Sequence, residues 1–178
     1  PEFRWQMEWL AAAGYRAVTV GDLVGGPMHD LLHGERLVAM TFDDAYDSVY
    51  KLGYPIMKRF GFTATVFAPA AYLGSYNRWA MPKQGGPLMP LMDWSALREM
   101  AEARFEIGSH ALTHRRLTEL PVRETRREVR DSKKLIEDKL GRSVSSFCYP
   151  FGAYDEIRAA EVGLSLIHIS EPTRLRRI

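Results

Sequence analysis

"RLVAMTF" (36–42), "FTATVFAPA" (62–70), "RFEIGSH" (104–110) and "SSFCYP" (145–150) are short apolar runs separated by stretches of helical spacing. That alternation restricts the fold more than any other feature of the chain. Strands joined through helices return to the same end of a sheet, so they lie parallel. "YRAVTV" (15–20) adds a short strand ahead of them. The run 36–42 reads as buried on both faces, as strands of parallel sheets are. Helices are predicted over 3–13, closed by Gly14; over 46–60, before Gly61; over "WSALREMAEA", capped by Asp93; from Pro121 to Gly141; and from "DEIRAAE" (155–161) onward. Pro55 is predicted to kink the second of these or split it in two. Along 121–141, Val122, Thr125, Val129, Ser132, Ile136 and Leu140 share one face, and the other face is Arg, Glu and Lys. Residues 21–35, with a turn near Leu31, and 72–92 read as loops. The class is α/β with a parallel sheet, either a barrel or doubly wound, and no internal repeat is visible.

The 178 residues suffice for one domain with a core. A formal charge of +2 argues against a nucleic-acid partner. Its source is local: Arg174, Arg176 and Arg177 stand against Glu171 near the C-terminus. The single cysteine, Cys148, excludes an intrachain disulfide. No run reaches the roughly 18 apolar residues of a membrane span. Pro1 opens directly onto a helical pattern, so the N-terminus reads as a cut.

Three polar clusters follow three of the predicted strands. Asp43 and Asp44 follow "VAMTF", His110 and His114 follow "FEIGS", and "YPFGAYD" (149–155) follows "SSFC". The C-terminal ends of parallel strands are where α/β active sites are built. Histidines four apart on one helical turn can share a metal, and a carboxylate such as Asp44 completes a common zinc set. Asp43, left free beside it, is placed as a general base. Two blander readings stay open: histidines on a helix surface, and an Asp-Asp turn with one carboxylate capping the next helix.

"TFDDAYDS", "SHALTH" and "YPFG", in this order and spacing, resemble the polysaccharide deacetylases of carbohydrate esterase family 4, the NodB-homology domain. The resemblance covers about residues 1–163 and extends to "WLAAAGYRAVTVGDL", "GFTATVFAPA", "DSKKLIEDKLG" and "FCYPFGAYD". It is nearest to the branch acting on exported poly-N-acetylglucosamine. It implies a distorted, incomplete (β/α) barrel. It also implies roles: Asp43 as catalytic base; Asp44, His110 and His114 as ligands of a divalent metal, usually Zn2+; the backbone N–H of Phe151 as oxyanion donor. Tyr149, Pro150, Tyr72 and Trp79 are candidate substrate contacts, with Tyr76 and Asn77 on the same loop. Loop aromatics that merely cover a barrel are the alternative. Thr113 is expected to bond a neighbouring backbone or shape the pocket. His29 and His33 are expected at the solvent.

Two departures stand out. Cys148 occupies a position where many members carry an arginine that orients the base; here it marks a branch, or is simply a small buried strand residue. The family's later motifs, including an L-x-x-H whose histidine is the general acid, do not occur. Residues 164–174, "LSLIHISEPTR", are instead similar to the translation of a transposase-library sequencing adapter. The natural sequence is therefore expected to break off near Gly163, with whatever followed it in the parent gene missing, residues 164–178 to be a foreign tail, and His168 to carry no evolved role. The alternative is a natural C-terminal strand, since "LSLIHI" has good β propensity. The expected substrate is an N-acetylated polysaccharide or oligosaccharide outside the cytoplasm, by family habit. An O-acetyl xylan esterase and an inactive carbohydrate- or metal-binding fragment are the rivals, and deacetylation by this chain is expected to be impaired with apolar edges left open.

Overall fold

The computed structural model describes residues 2–25, 34–80, 87–165 and 168–170; for Gly25, Ala80, Ser165 and 168–170 only the backbone is described. His29 and His33 lie outside the described residues, and so does the turn expected near Leu31.

The chain opens with helix α1 (Glu2–Ala12), strand β1 (Tyr15–Val18) and a short helix α2 (Val20–Gly25), the last inside what the sequence suggested was loop. The run 36–42 is not one strand. Arg36–Ala39 (β2) pairs with β1, and Thr41–Phe42 (β3) pairs with Thr65–Ala68 (β4). Nor is it buried on both faces: its residues are exposed or half-buried. The reason is position, because β3 is the edge of its sheet and has a neighbour on one side only.

The main sheet is β3-β4-β5-β6-β7, with β5 at Glu106–Ser109, β6 at Ser146–Cys148 and β7 at His168–Ser170. Every pairing is parallel and the strands stand in chain order. A doubly wound sheet reverses its strand order at a switch point. This one never does, so the sheet winds one way, as the wall of a partial barrel. Helices α3 (Tyr54–Arg59), α4 (Trp94–Glu102), α5 (Val122–Leu140) and α6 (Glu156–Ser165) alternate with the strands. In the expected tail, α6 runs through Gly163, and the backbone of 168–170 lies parallel to β6.

Local rules explain the boundaries. Pro55 falls in the first turn of α3, where its missing N–H costs nothing, and a wider turn (Val49–Gly53) precedes it. Asp93 caps α4, its carboxylate accepting the Ala96 N–H at 2.9 Å. Gly141 closes α5 in the left-handed conformation, φ 66°. Gly108 is required sterically: a Cβ there would stand 2.6 Å from the Phe67 ring.

The core lies between sheet and helices. Val66, Ala68, Met57, Leu97, Met100, Val129, Ile136 and Phe147 are essentially inaccessible. At the N-terminal ends of the strands, the Glu106 carboxylate accepts Thr65 Oγ1 at 2.7 Å, Ser146 Oγ at 2.5 Å and the Gly21 N–H at 2.9 Å. One acid thus ties β4, β5, β6 and α2 together at the floor. No described helix is long and apolar enough to cross a membrane.

Candidate metal centre

The other ends of the strands carry the polar clusters. β3 hands over to Asp43 and Asp44, β5 to His110, and β6 to Tyr149, Pro150 and Phe151. The backbone there is forced. Asp44 (φ 69°), Ala45 (φ 53°), Ala111 (φ 63°), His114 (φ 54°) and Phe151 (φ 62°) are left-handed; Arg104 is the sixth such non-glycine residue among those described. Each costs about 1–3 kcal/mol in a side chain's natural conformational preference, and such strain clusters at functional sites.

These turns correct one expectation. His110 and His114 do not share a helical turn. The stretch between them is an irregular loop with left-handed residues at 111 and 114, and the loop, not helical periodicity, brings the imidazoles together. Likewise Asp43 and Asp44 escape strand alternation because the chain turns sharply at Asp44 and Ala45.

Asp44 Oδ1 lies 3.0 Å from His114 Nε2 and 3.5 Å from His110 Nε2, with both histidines buried. His110 Nδ1 is 2.8 Å from the Cys148 carbonyl oxygen. A carbonyl only accepts, so Nδ1 carries the proton and Nε2 presents its lone pair. Burial, then the nearby His114, pushes His110 below the ordinary histidine value, which favours this neutral form. Burial by itself would raise Asp44. The His114 hydrogen bond and charge, with His110 and the Tyr46 hydroxyl, outweigh it and hold the carboxyl below its ordinary value.

A divalent cation fits these residues. Asp44 Oδ1 is buried, and apart from His114 Nε2 at 3.0 Å it meets no hydrogen-bond donor among the described residues; of the two imidazole nitrogens it faces, that of His110 is a bare lone pair. An anionic oxygen and two Nε2 atoms, the three lying within 4.8 Å of one another, form a donor set suited to zinc. Asp43 stands at the mouth, more exposed, within hydrogen-bonding reach of the buried Cys148 thiol. Burial and then the Asp43 charge raise that thiol well above its ordinary value, so it stays protonated and donates.

The model of the family described as "Polysaccharide deacetylase" matches residues 32–166, most of the chain and all three clusters. The chain belongs to the polysaccharide deacetylase family. Its relatives in that family include YxkH of Bacillus subtilis, 30% identical over 90% of this chain and 53% of its own length. Another is the poly-beta-1,6-N-acetyl-D-glucosamine N-deacetylase of Escherichia coli, 32% identical over 60% of this chain and 16% of its own. The chain thus spans about half of the first relative and a small part of the second. Among solved structures, Streptococcus pyogenes deacetylase PplD in complex with acetate superposes with a TM-score of 0.77 at 20% identity, covering 91% of this chain and 67% of that one. Likeness at that identity speaks for the shared fold.

Within this polysaccharide deacetylase fold the other candidates fall into two groups. Trp79 and Phe151 reach the centre. The indole stacks on the His114 ring at 4.4 Å between centroids, and Phe151 meets that ring edge-on at 4.8 Å. Tyr72 packs on Trp79 at 5.3 Å. The rest support. Tyr149 is completely inaccessible, its ring against Phe147 and Tyr154, and Pro150 is buried. Expected as substrate contacts, these two are instead packed beneath the Phe151 turn in this structure. The Tyr76 backbone pairs with Pro90 while its side chain is exposed, and Asn77 is buried, its Oδ1 accepting the Met89 N–H at 2.7 Å. Thr113 bonds a side chain rather than a neighbouring backbone: its N–H and Oγ1 both donate to Glu128.

Glu128 and Tyr46 were not singled out from sequence. Glu128 was findable, because it lies three residues after Thr125 and four before Ser132, on the buried face of α5. A glutamate on an apolar face needs a partner inside. Tyr46, two residues after Asp44, carried no comparable signal.

Proposed function

We propose that the protein is a metal-dependent hydrolase that removes N-acetyl groups from an N-acetylglucosamine-containing polysaccharide. The observation that carries this reading is the convergence of Asp44, His110 and His114 on one point, with Asp43 free beside them. Asp44, His110 and His114 would hold the cation, most simply Zn2+. Bound there, it would supply Lewis acidity toward the acetamide carbonyl and toward water.

The chain's own groups do the rest. Asp43 takes the proton of the attacking water on its carboxylate. The Cys148 thiol, donating to Asp43, fixes its orientation. The Phe151 N–H, on its left-handed turn, donates to the oxygen on which charge develops. The C–N bond then breaks, and among the described residues Asp43 is the group placed to return the proton to the leaving nitrogen. Acetate and a free amine result. A single carboxyl serving both proton steps is slower than a dedicated pair, so low turnover is expected.

The relatives named for poly-N-acetylglucosamine and, from Listeria monocytogenes, peptidoglycan N-acetylglucosamine deacetylation support the N-acetyl substrate class. Acetate release from poly-N-acetylglucosamine, chitooligosaccharides and acetylxylan tests it. Release from the N-acetylated substrates is expected, and release from acetylxylan alone would overturn the assignment. We also propose that residues 164–178 are foreign to the natural protein, on the likeness of 164–174 to translated adapter sequence. Reading the parent gene across codon 163 decides that.

A further inference from the structure

The two histidines of the centre are held in different ways. His110 is fixed by its Nδ1–H on the Cys148 carbonyl, the usual device for aiming a ligand nitrogen. His114 has no such bond. Its Nδ1 is buried and has no hydrogen-bond partner among the described residues, and its side chain is 5% exposed. Its backbone is left-handed as well, φ 54°. Among the described residues, nothing polar holds the ring from its Nδ1 side; Asp44 Oδ1 meets it only at Nε2.

Rings surround it instead. Trp79 lies nearly parallel to the imidazole, 27° between planes at 4.4 Å, and Phe151 closes the adjacent side at 71° and 4.8 Å. Both are themselves backed: Tyr72 packs on Trp79, and the Arg116 guanidinium carbon sits 4.8 Å from the Phe151 ring centroid. The loop that brings Trp79 in is pinned by Asn77 to Met89 and by the Met92 N–H to the Ala45 carbonyl, next to Asp44. A parallel stack fixes the plane of the imidazole, while an edge contact stops it sliding out.

We propose that Trp79 is a positioning residue for the metal ligand His114, doing with an aromatic face what the Cys148 carbonyl does for His110. With this indole face committed to His114, sugar stacking is left to the remaining ring surface and to Phe151. The proposal rests on the metal reading above. It implies that the loop carrying Trp79 and the turn carrying Phe151 meet through His114, so that loading the centre orders both.

The test is zinc affinity by competition with a chromogenic chelator, on the full chain, with thermal melting of the metal-free protein as the folding control. Loss of a partner that aims a ligand typically costs about 10–100-fold in metal affinity. Trp79→Ala is expected to weaken zinc by roughly tenfold or more on that scale, and Trp79→Phe to stay near wild type. Trp79→Leu keeps apolar bulk without a ring face and is expected to resemble Trp79→Ala, with metal-free melting close to wild type. Wild-type affinity in Trp79→Ala or Trp79→Leu overturns the bracket. His114→Ala and Asp44→Ala separate the two ideas: if they too bind zinc as wild type does, the metal reading itself falls and the bracket falls with it.

Discussion

The acidic half and the imidazole half of the centre hang from very different parts of the sheet. His110 and the Cys148 carbonyl leave strands β5 and β6, whose residues are almost entirely buried and are flanked by strands on both sides. Asp43 and Asp44 leave β3, a two-residue edge strand that is half-exposed. Beside that edge opens an apolar groove lined by Phe3, Trp5, Trp9, Leu10, Met40 and Phe42. One half of the site is therefore held by the core, and the other by a turn and by what packs around it. Ligand precision on the acidic side must come from local devices, namely the left-handed turn at Asp44 and Ala45 and the Tyr46 hydroxyl.

That contrast has measurable consequences. The largest concerns stability. Phe147→Ala, in the buried half, is expected to cost about 3–5 kcal/mol by chemical denaturation. Phe42→Ala, on the edge with one edge-on contact to Phe3 at 6.2 Å, is expected to cost only about 1–2 kcal/mol. Equal costs would mean that the edge is as firmly packed as the core. Next is Glu128→Ala, which strands the Thr113 N–H and hydroxyl below the histidine loop. About 1–3 kcal/mol of stability is expected to go. Zinc affinity should drop with it, because the loop joining His110 to His114 loses its anchor. Arg116→Ala is a smaller change, about 0.5–1 kcal/mol for an exposed cation over Phe151.

A pH dependence follows on the imidazole side. His110 titrates lower in the folded chain than when unfolded, because of burial and then His114. The unfolded state therefore binds the extra proton first. Folding stability is complete above the ordinary histidine value, about 6.5, and is lost as pH falls through and below it. Melting of metal-free protein between neutral and mildly acidic pH reads this directly, and His110→Asn should flatten the slope. An unchanged slope would move the titrating group elsewhere.

Much of this was legible in the chain. Strand–helix alternation, the break at Pro55, the Asp93 cap and the Gly141 stop are local signals, and the structure follows them. The three clusters were legible because each directly follows an apolar run. What failed was non-local. "RLVAMTF" is apolar enough for a two-faced strand, but only the sheet decides that β3 stands at its edge. Around the centre, Asp44, Ala45, Ala111, His114 and Phe151 are left-handed without being glycines, so their turns are imposed by packing that no window of sequence contains. Tyr149 and Phe151 adjoin in sequence, yet at the tight turn one ring is buried and the other is half-exposed, which their residue types alone do not tell.

The most direct test is the zinc content of Asp44→Ala and Asp43→Ala proteins, purified alongside wild type and dialysed against trace zinc. Asp44→Ala is expected to lose the metal, and Asp43→Ala to retain it at the wild-type level while releasing no acetate. Zinc retained in Asp44→Ala, or lost equally from both, would contradict the assignment of one carboxylate to the metal and the other to the proton.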